Sequence, residues 1–344
     1  MSRGPVVIVA GAGALGLSAA FSLAQAGCSV SVCDPAGPAQ ASAVAAGMLA
    51  PVFEAALDPE TADDLDLLLA ARNLWPALAQ RSGVEIDRSG TAAAGSDAWL
   101  AMVRARLTRF GLRGADLPRP LLEDLAPGVA PGLQAVLVRE DWRLDPPLAL
   151  EALRRAAAAA GVVFRRETVR ARGAADWLVV ATGAAQGLAG AVPELTRLTP
   201  IKGQILRFAD RRGGRISLRG EGAYAVPGSG GLAVGATMEA GEADTEADPV
   251  TLAPLVAAAG RLLPGLQGAK FRTSVGVRAA TPDGLPMVGA SQAPGVVLAV
   301  GARRNGWLLA PLVAQVVTAC VMGRAGGSYA PRLDPGRFET GRAA

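Results

Sequence analysis

The succession of apolar and polar positions predicts a chain that begins and ends as α/β and changes character between. Val6-Val-Ile-Val-Ala10 is short, apolar and β-branched, the pattern of a strand buried on both faces of a parallel sheet. Gly11 breaks that run, and residues 15–26 follow at helical spacing until Gly27. Residues 29–33 predict a second strand that ends at Asp34-Pro35, completing a βαβ opening. A small-residue segment, 41–51, precedes a polar helical stretch over 60–80. The chain is then turn-rich up to Arg139, with one helix expected at 97–110. Residues 148–160 predict a helix closed by Gly161, and strands are expected at 162–164 and 177–181.

From 201 to 237 short apolar runs alternate with glycine-rich turns (204–208, 223–226 and 232–235), which predicts an antiparallel sheet. A helix is expected near 251–263, a strand at 296–300 and a helix at 308–322, with Pro311 near its first turn. The α/β pieces thus recur at the start, middle and end, with other material inserted between them. The expected architecture is α/β: a discontinuous Rossmann-like nucleotide-binding domain (1–52, 144–196, 272–335) and an antiparallel-sheet second domain (53–143, 197–271). No internal repeat is evident.

Composition removes several classes of function. The 344 residues, 51% hydrophobic, suffice for two domains. The net charge of +4 is spread without a long basic run, so nucleic acid is not an expected partner. The chain has no histidine, which excludes a Ser-His-Asp hydrolase and argues against a catalytic zinc. Cys28, Cys33 and Cys320 are odd in number and lack metal-type spacing, so free thiols in a reducing cytoplasm are expected. The apolar start resembles a signal peptide, but Arg3 is its one flanking charge and glycines interrupt it; no other stretch predicts a membrane span.

The glycines after the first strand carry chemistry. Gly11-Ala-Gly13-Ala14-Leu15-Gly16 is a G-x-G-x-x-G that follows a strand, opens a helix and is trailed by Asp34 at the end of the second strand. Gly11 permits the tight turn, Gly13 a close backbone approach to a pyrophosphate, and Gly16 close helix–strand packing. The helix N-terminus favours phosphate, and Asp34 would accept from an adenosine ribose. This fingerprint does not separate FAD from NAD.

Later motifs do. Ala41-Ser42-Ala-Val-Ala-Ala46-Gly47-Met48-Leu-Ala-Pro51, Leu144-Asp-Pro-Pro147, Val179-Val-Ala-Thr182-Gly183, Pro200-Ile-Lys-Gly-Gln204, Tyr224-Ala-Val-Pro227, Val234-Gly-Ala-Thr-Met238-Glu239, Val277-Arg278 to Pro286, and Arg304-Asn305-Gly306-Trp307-Leu308-Leu-Ala-Pro311 occur in that order. Together they resemble the D-amino-acid oxidase superfamily, and most closely the glycine oxidases of thiamine biosynthesis. The resemblance covers most of the chain and is weak over 54–139.

It implies non-covalent FAD, a small amino-acid or amine substrate oxidised to its imine by hydride transfer to flavin N5, and O2 as acceptor giving H2O2. By the same resemblance Val169 would meet the adenine through its backbone. Ser42, Ala46, Gly47 and Met48 would run past the flavin, with Thr182, Gly183, Gly301, Arg303, Asn305, Gly306, Trp307 and Leu308 near it. Arg278 matches the carboxylate-binding arginine, Arg304 a second arginine contributing chiefly through its backbone, and Tyr224 a tyrosine that hydrogen-bonds the carboxylate. Met48 and Met238 match residues lining the site. Taken alone, each arginine reads equally as a surface group, Tyr224 as a strand residue and the methionines as packing. The last helix would stabilise an anionic reduced flavin through its N-terminus. Gly228, Ala279 and Gly301-Ala302-Arg303 depart from the family's usual residues, which keeps open a dehydrogenase passing electrons to a quinone and a non-catalytic FAD-binding subunit. Homo-oligomerisation is also open.

Overall fold

The computed structural model describes residues 4–35, 40–211 and 213–339. Two sheets organise it. The first has six strands in the order Met287–Ala290, Val296–Val300, Trp177–Val180, Val6–Ala10, Ser29–Cys33 and Val163–Arg165. All neighbours are parallel except the edge pair Met287–Ala290 with Val296–Val300. The chain leaves Val6–Ala10 toward one side of the sheet and returns to its other side at Trp177–Val180. The strand order therefore reverses between these two, and a crevice opens beyond their carboxyl ends, where open α/β sheets bind ligands. The helix Ala14–Gln25 packs against Gly306–Val321, and Leu17, Phe21, Leu23, Val313 and Val317 are buried between sheet and helices.

The second sheet has nine strands. Thr199–Phe208 pairs with Arg272–Ala280 along its length on one side and with Gly231–Gly235 and Glu239–Ala240 on the other; Ala223–Gly228, Ser217–Gly220, Thr91–Gly95, Gln134–Val138 and Ala115–Asp116 extend it. It is antiparallel apart from the Ser217–Gly220 and Thr91–Gly95 pair, which is parallel. Because Arg272–Ala280 belongs to this sheet, a boundary drawn by sheet membership falls after Ala280 rather than at 272.

Most expected elements stand within two or three residues of their place, among them Asp97–Arg109, Pro146–Ala159 and Pro249–Leu262. Others differ. The helix expected over 60–80 is Leu65–Ser82, preceded by a short helical turn at Pro59–Thr61. Thr91–Gly95 and Gln134–Val138 are strands inside the stretch that reads as turns. Pro51–Leu57 is a helix with no local signal beyond its leading proline: Ala50 at its N-cap offers no side-chain acceptor. Its first N–H groups are satisfied from 89 residues away, Val52 and Phe53 donating to the two oxygens of the fully buried Asp141 at 2.8 and 3.1 Å. Pro311 is the sixth residue of Gly306–Val321, not in its first turn, so the carbonyl of Trp307 loses its intrahelical donor. The buried indole of Trp75 donates to that oxygen at 3.1 Å.

Candidate active site

Two connected cavities lie between the sheets. The larger, about 590 Å³, runs along the crevice of the first sheet. Gly11, Gly13, Ala14, Leu15, Asp34, Ser42, Val169, Thr182, Gly183, Gly301, Arg303 and Gly306 line it. Gly11 takes φ +108°, which only glycine adopts freely, and a Cβ on it would sit 2.3 Å from the carbonyl oxygen of Ala181, just past the neighbouring strand Trp177–Val180. Gly16 does not line the cavity; a Cβ there would lie 2.1 Å from the Gly11 oxygen, so it provides the close helix–strand contact. Asp34 accepts from the Ala12 N–H at 2.7 Å and from Gln40 at 3.2 Å, which places its carboxylate against the glycine turn. Ser42 Oγ accepts from the Ala14 N–H at 2.9 Å, tying the small-residue segment to the start of the first helix. These features fit FAD: a long trough, a glycine turn without side chains, a helix start, and an acid at the far strand.

The smaller cavity, about 340 Å³, opens from the first where Ser42, Arg278, Arg303 and Gly306 line both. Its walls include Ala46, Gly47, Met48, Tyr224, Met238, Arg304, Asn305 and Trp307, so every expected substrate-contacting residue is gathered here. Leu308 is not: it is 1% exposed and packs in the core behind the helix start. Met238 stands at the mouth, 38% exposed.

Arg278 projects from Arg272–Ala280 over the neighbouring strand. Its Nη1 donates to the Thr237 carbonyl and approaches Met238 Sδ, each at 3.3 Å. No carboxylate of the described residues lies within 4 Å of it. Gly203 makes room for it: a Cβ there would lie 2.1 Å from Nη1 and 2.4 Å from Cζ. Tyr224 is placed likewise, its hydroxyl lying where a Cβ on Gly235 would be, 2.4 Å away. Burial pushes the Tyr224 phenol above its ordinary range although Arg278 and Arg219 oppose it, so it remains a donor. Burial also pulls Arg278 below the usual guanidinium range.

Sequence reasoning passed over the helix Pro51–Leu57, which reorders the remaining charges. Glu54, 5% exposed, pairs with Arg219 through one oxygen and with Arg304 Nη2 at 2.6 Å through the other. Asp58 lies 2.8 Å from the same Arg304 nitrogen and pairs with Arg303, whose Nε is 3.0 Å from Glu60. Burial alone would raise Glu54, but Arg304 and Arg219 outweigh it and hold the carboxyl at about 2. The Arg304 side chain is thereby engaged by protein carboxylates. No local pattern announces this network. Gly203 was within sight, inside Pro200-Ile-Lys-Gly-Gln204, but its purpose emerges only from the pairing with the Arg278 strand.

Segment 41–47 is fixed from three sides. Besides Ser42 Oγ on Ala14, the Trp307 indole donates to the Ser42 carbonyl at 2.9 Å, and Arg207 donates to the carbonyls of Val44 and Ala45. Arg303, at φ +48°, donates its N–H to the Ala279 carbonyl at 2.8 Å, so the loop before the last helix is anchored to the strand that carries Arg278.

Among known proteins, a glycine oxidase of Pseudomonas putida is 27% identical over 96% of this chain and 97% of its own length. A thiamine biosynthesis oxidoreductase, ThiO, of Rhizobium etli is 32% identical over 90% of this chain and 94% of its own. The crystal structure of an iminodiacetate oxidase from Chelativorans sp. BNC1 shares the fold, with TM-score 0.83 at 24% identity, over 96% of this chain and 98% of that one. The family of FAD dependent oxidoreductases, DAO, matches residues 6–320. The chain belongs to that family: it is an FAD-dependent oxidoreductase.

Proposed function

We propose that the protein oxidises glycine, or a similarly small amine or D-amino acid, to the imine, with O2 as the electron acceptor and H2O2 as product, in the supply of the thiamine thiazole. The observation that carries this reading is Arg278, a guanidinium without a carboxylate partner among the described residues, at the junction of the cofactor trough and the smaller cavity. Its planar fork suits a carboxylate bidentately. The protonated Tyr224 hydroxyl would donate to the same carboxylate. Kinship to glycine oxidase and ThiO supports the substrate class and the pathway.

FAD held in the trough supplies the acceptor for the α-hydrogen and its electron pair at N5. The protein's work is to orient. Arg278 and Tyr224 hold the carboxylate, while Met48 and Met238 narrow the space around the α-carbon. With the cofactor as hydride acceptor, the amine would need only to release a proton to solvent for the C=N bond to close. No side-chain base is required. The chain has no histidine, and neither Lys202 nor Lys270 lines the cavity; Lys202 lies 2.6 Å from Asp244 instead. The start of Gly306–Val321 at the junction would favour negative charge on the reduced cofactor.

The test is anaerobic addition of glycine, sarcosine or D-alanine to the holoprotein. Bleaching of the flavin bands by one of them, reversed by air with peroxide released, is the expected result. Bleaching that air does not reverse but a quinone does would identify a dehydrogenase, and flavin that no amine bleaches would identify a non-catalytic FAD-binding subunit. No helix among the described residues is long and apolar enough to cross a membrane, and we place the activity in the cytoplasm.

A further inference from the structure

Four arginines line the smaller cavity, and three are already matched to carboxylates of this chain. Arg219 pairs with Glu54, Arg304 with Glu54 and Asp58, and Arg303 with Asp58 and Glu60. Three guanidinium charges face three carboxylates, and Arg278 alone is left over. Glu54 is the one acidic residue among those lining the cavity, and its carboxylate is 6% exposed between its two partners. Such a group is not easily displaced, because an anion expelled from two buried guanidiniums would be stranded without compensation.

We propose that Glu54 is a specificity-determining residue: its carboxylate fills, from within the protein, the place where Arg304 and Arg219 would otherwise receive a second substrate carboxylate, and so restricts the site to amines bearing one. The proposal rests on the reading that Arg278 takes the first carboxylate. The restriction proposed is one of charge rather than of size. The cavity holds about 340 Å³, and Gly220, Gly222 and Ala223 form part of its wall. Charge imposes it, since a second substrate anion would meet the Glu54 carboxylate with no unmatched guanidinium to receive it.

The probes are iminodiacetate and its monoamide, which have the same shape and differ by one negative charge. Each is titrated anaerobically into the holoprotein, and both the spectral shift on binding and the rate of flavin bleaching are read. The wild-type protein is expected to favour the monoamide by about tenfold or more, the scale of an uncompensated like-charge contact. Glu54→Gln is expected to move that ratio toward iminodiacetate by about tenfold, and adding Arg304→Met to abolish the move. A wild-type protein that binds both probes equally overturns the proposal, whether or not the variant folds. A ratio unmoved in a folded, FAD-loaded Glu54→Gln protein also overturns it. Discrimination in binding without bleaching would support the role of Glu54, and the oxidase reading would then stand or fall by glycine, sarcosine and D-alanine. A spectrum that neither probe perturbs would overturn the proposal, while bleaching by glycine, sarcosine or D-alanine would still uphold the oxidase reading.

Discussion

Gly203→Ala is expected to disable the enzyme while leaving its fold and cofactor intact. The added Cβ would sit 2.1 Å from Arg278 Nη1 and 2.4 Å from Cζ and Nη2. Non-bonded carbon and nitrogen settle near ~3.5 Å, so the guanidinium must withdraw by roughly 1.4 Å. A substrate hydrogen bond of ~2.9 Å would then open to ~4.3 Å, beyond bonding range. A charge-assisted bond contributes about 1.5–3 kcal/mol, so losing one or both arms of a bidentate pair removes about 3 kcal/mol, a fall in kcat/KM on the order of 100-fold. The clash is with the end of a flexible side chain, not with backbone, and the pairing of Gly203 with Gly276 survives an extra methyl. FAD content and thermal stability should therefore stay near wild type. Steady-state kinetics with the amine that bleaches the flavin, beside the visible spectrum of the purified variant, decide the matter. A kcat/KM within about threefold of wild type at full FAD loading would mean that Arg278 does not hold the carboxylate.

Further consequences can be checked by unfolding. Burial drives the Asp141 carboxyl from its ordinary 3.8 up to about 7, even though the Val52 and Phe53 N–H groups and Arg219 favour its ionised form. The folded chain then keeps a proton that the unfolded chain releases between those values, so this group's contribution is full below 3.8 and lost as pH rises through 7. Asp141→Asn should flatten the decline of the urea midpoint between pH 5 and 7, and parallel profiles for the two proteins would refute the assignment. Trp75→Phe leaves the Trp307 carbonyl without its indole donor and should cost about 1–3 kcal/mol. That cost should shrink in a Pro311→Ala background, where residue 311 regains an N–H; an equal cost in both backgrounds would show that the proline is not what the indole compensates.

Where residues interact with chain neighbours, the fold could be read from the sequence; where partners arrive from afar, it could not. The βαβ opening and the G-x-G-x-x-G are local, and Val6–Ala10, Ser29–Cys33 and Val296–Val300 stand where their patterns place them. Thr91–Gly95 is Thr-Ala-Ala-Ala-Gly, buried throughout and lacking branched or aromatic residues apart from Thr91, so its strand conformation is imposed by the strands on either side. Pro51–Leu57 depends on a cap supplied by Asp141. The carboxylates on and just after that helix decide which arginine remains for substrate, so recognising Arg278 and Arg304 as motif residues could not reveal that their side chains are differently engaged. The resemblance supplied the membership of the site; the pairing of its charges came from tertiary contacts.

The fastening of segment 41–47 bears on how the protein comes into being. Its three anchors are Ala14, Arg207 and Trp307, which span nearly the whole chain. A ribosome-bound chain that has emerged only as far as the second sheet has its glycine turn but lacks the clamp from the last helix. Truncation before Trp307 should therefore loosen the cofactor, which would show as flavin lost on gel filtration of the shortened protein.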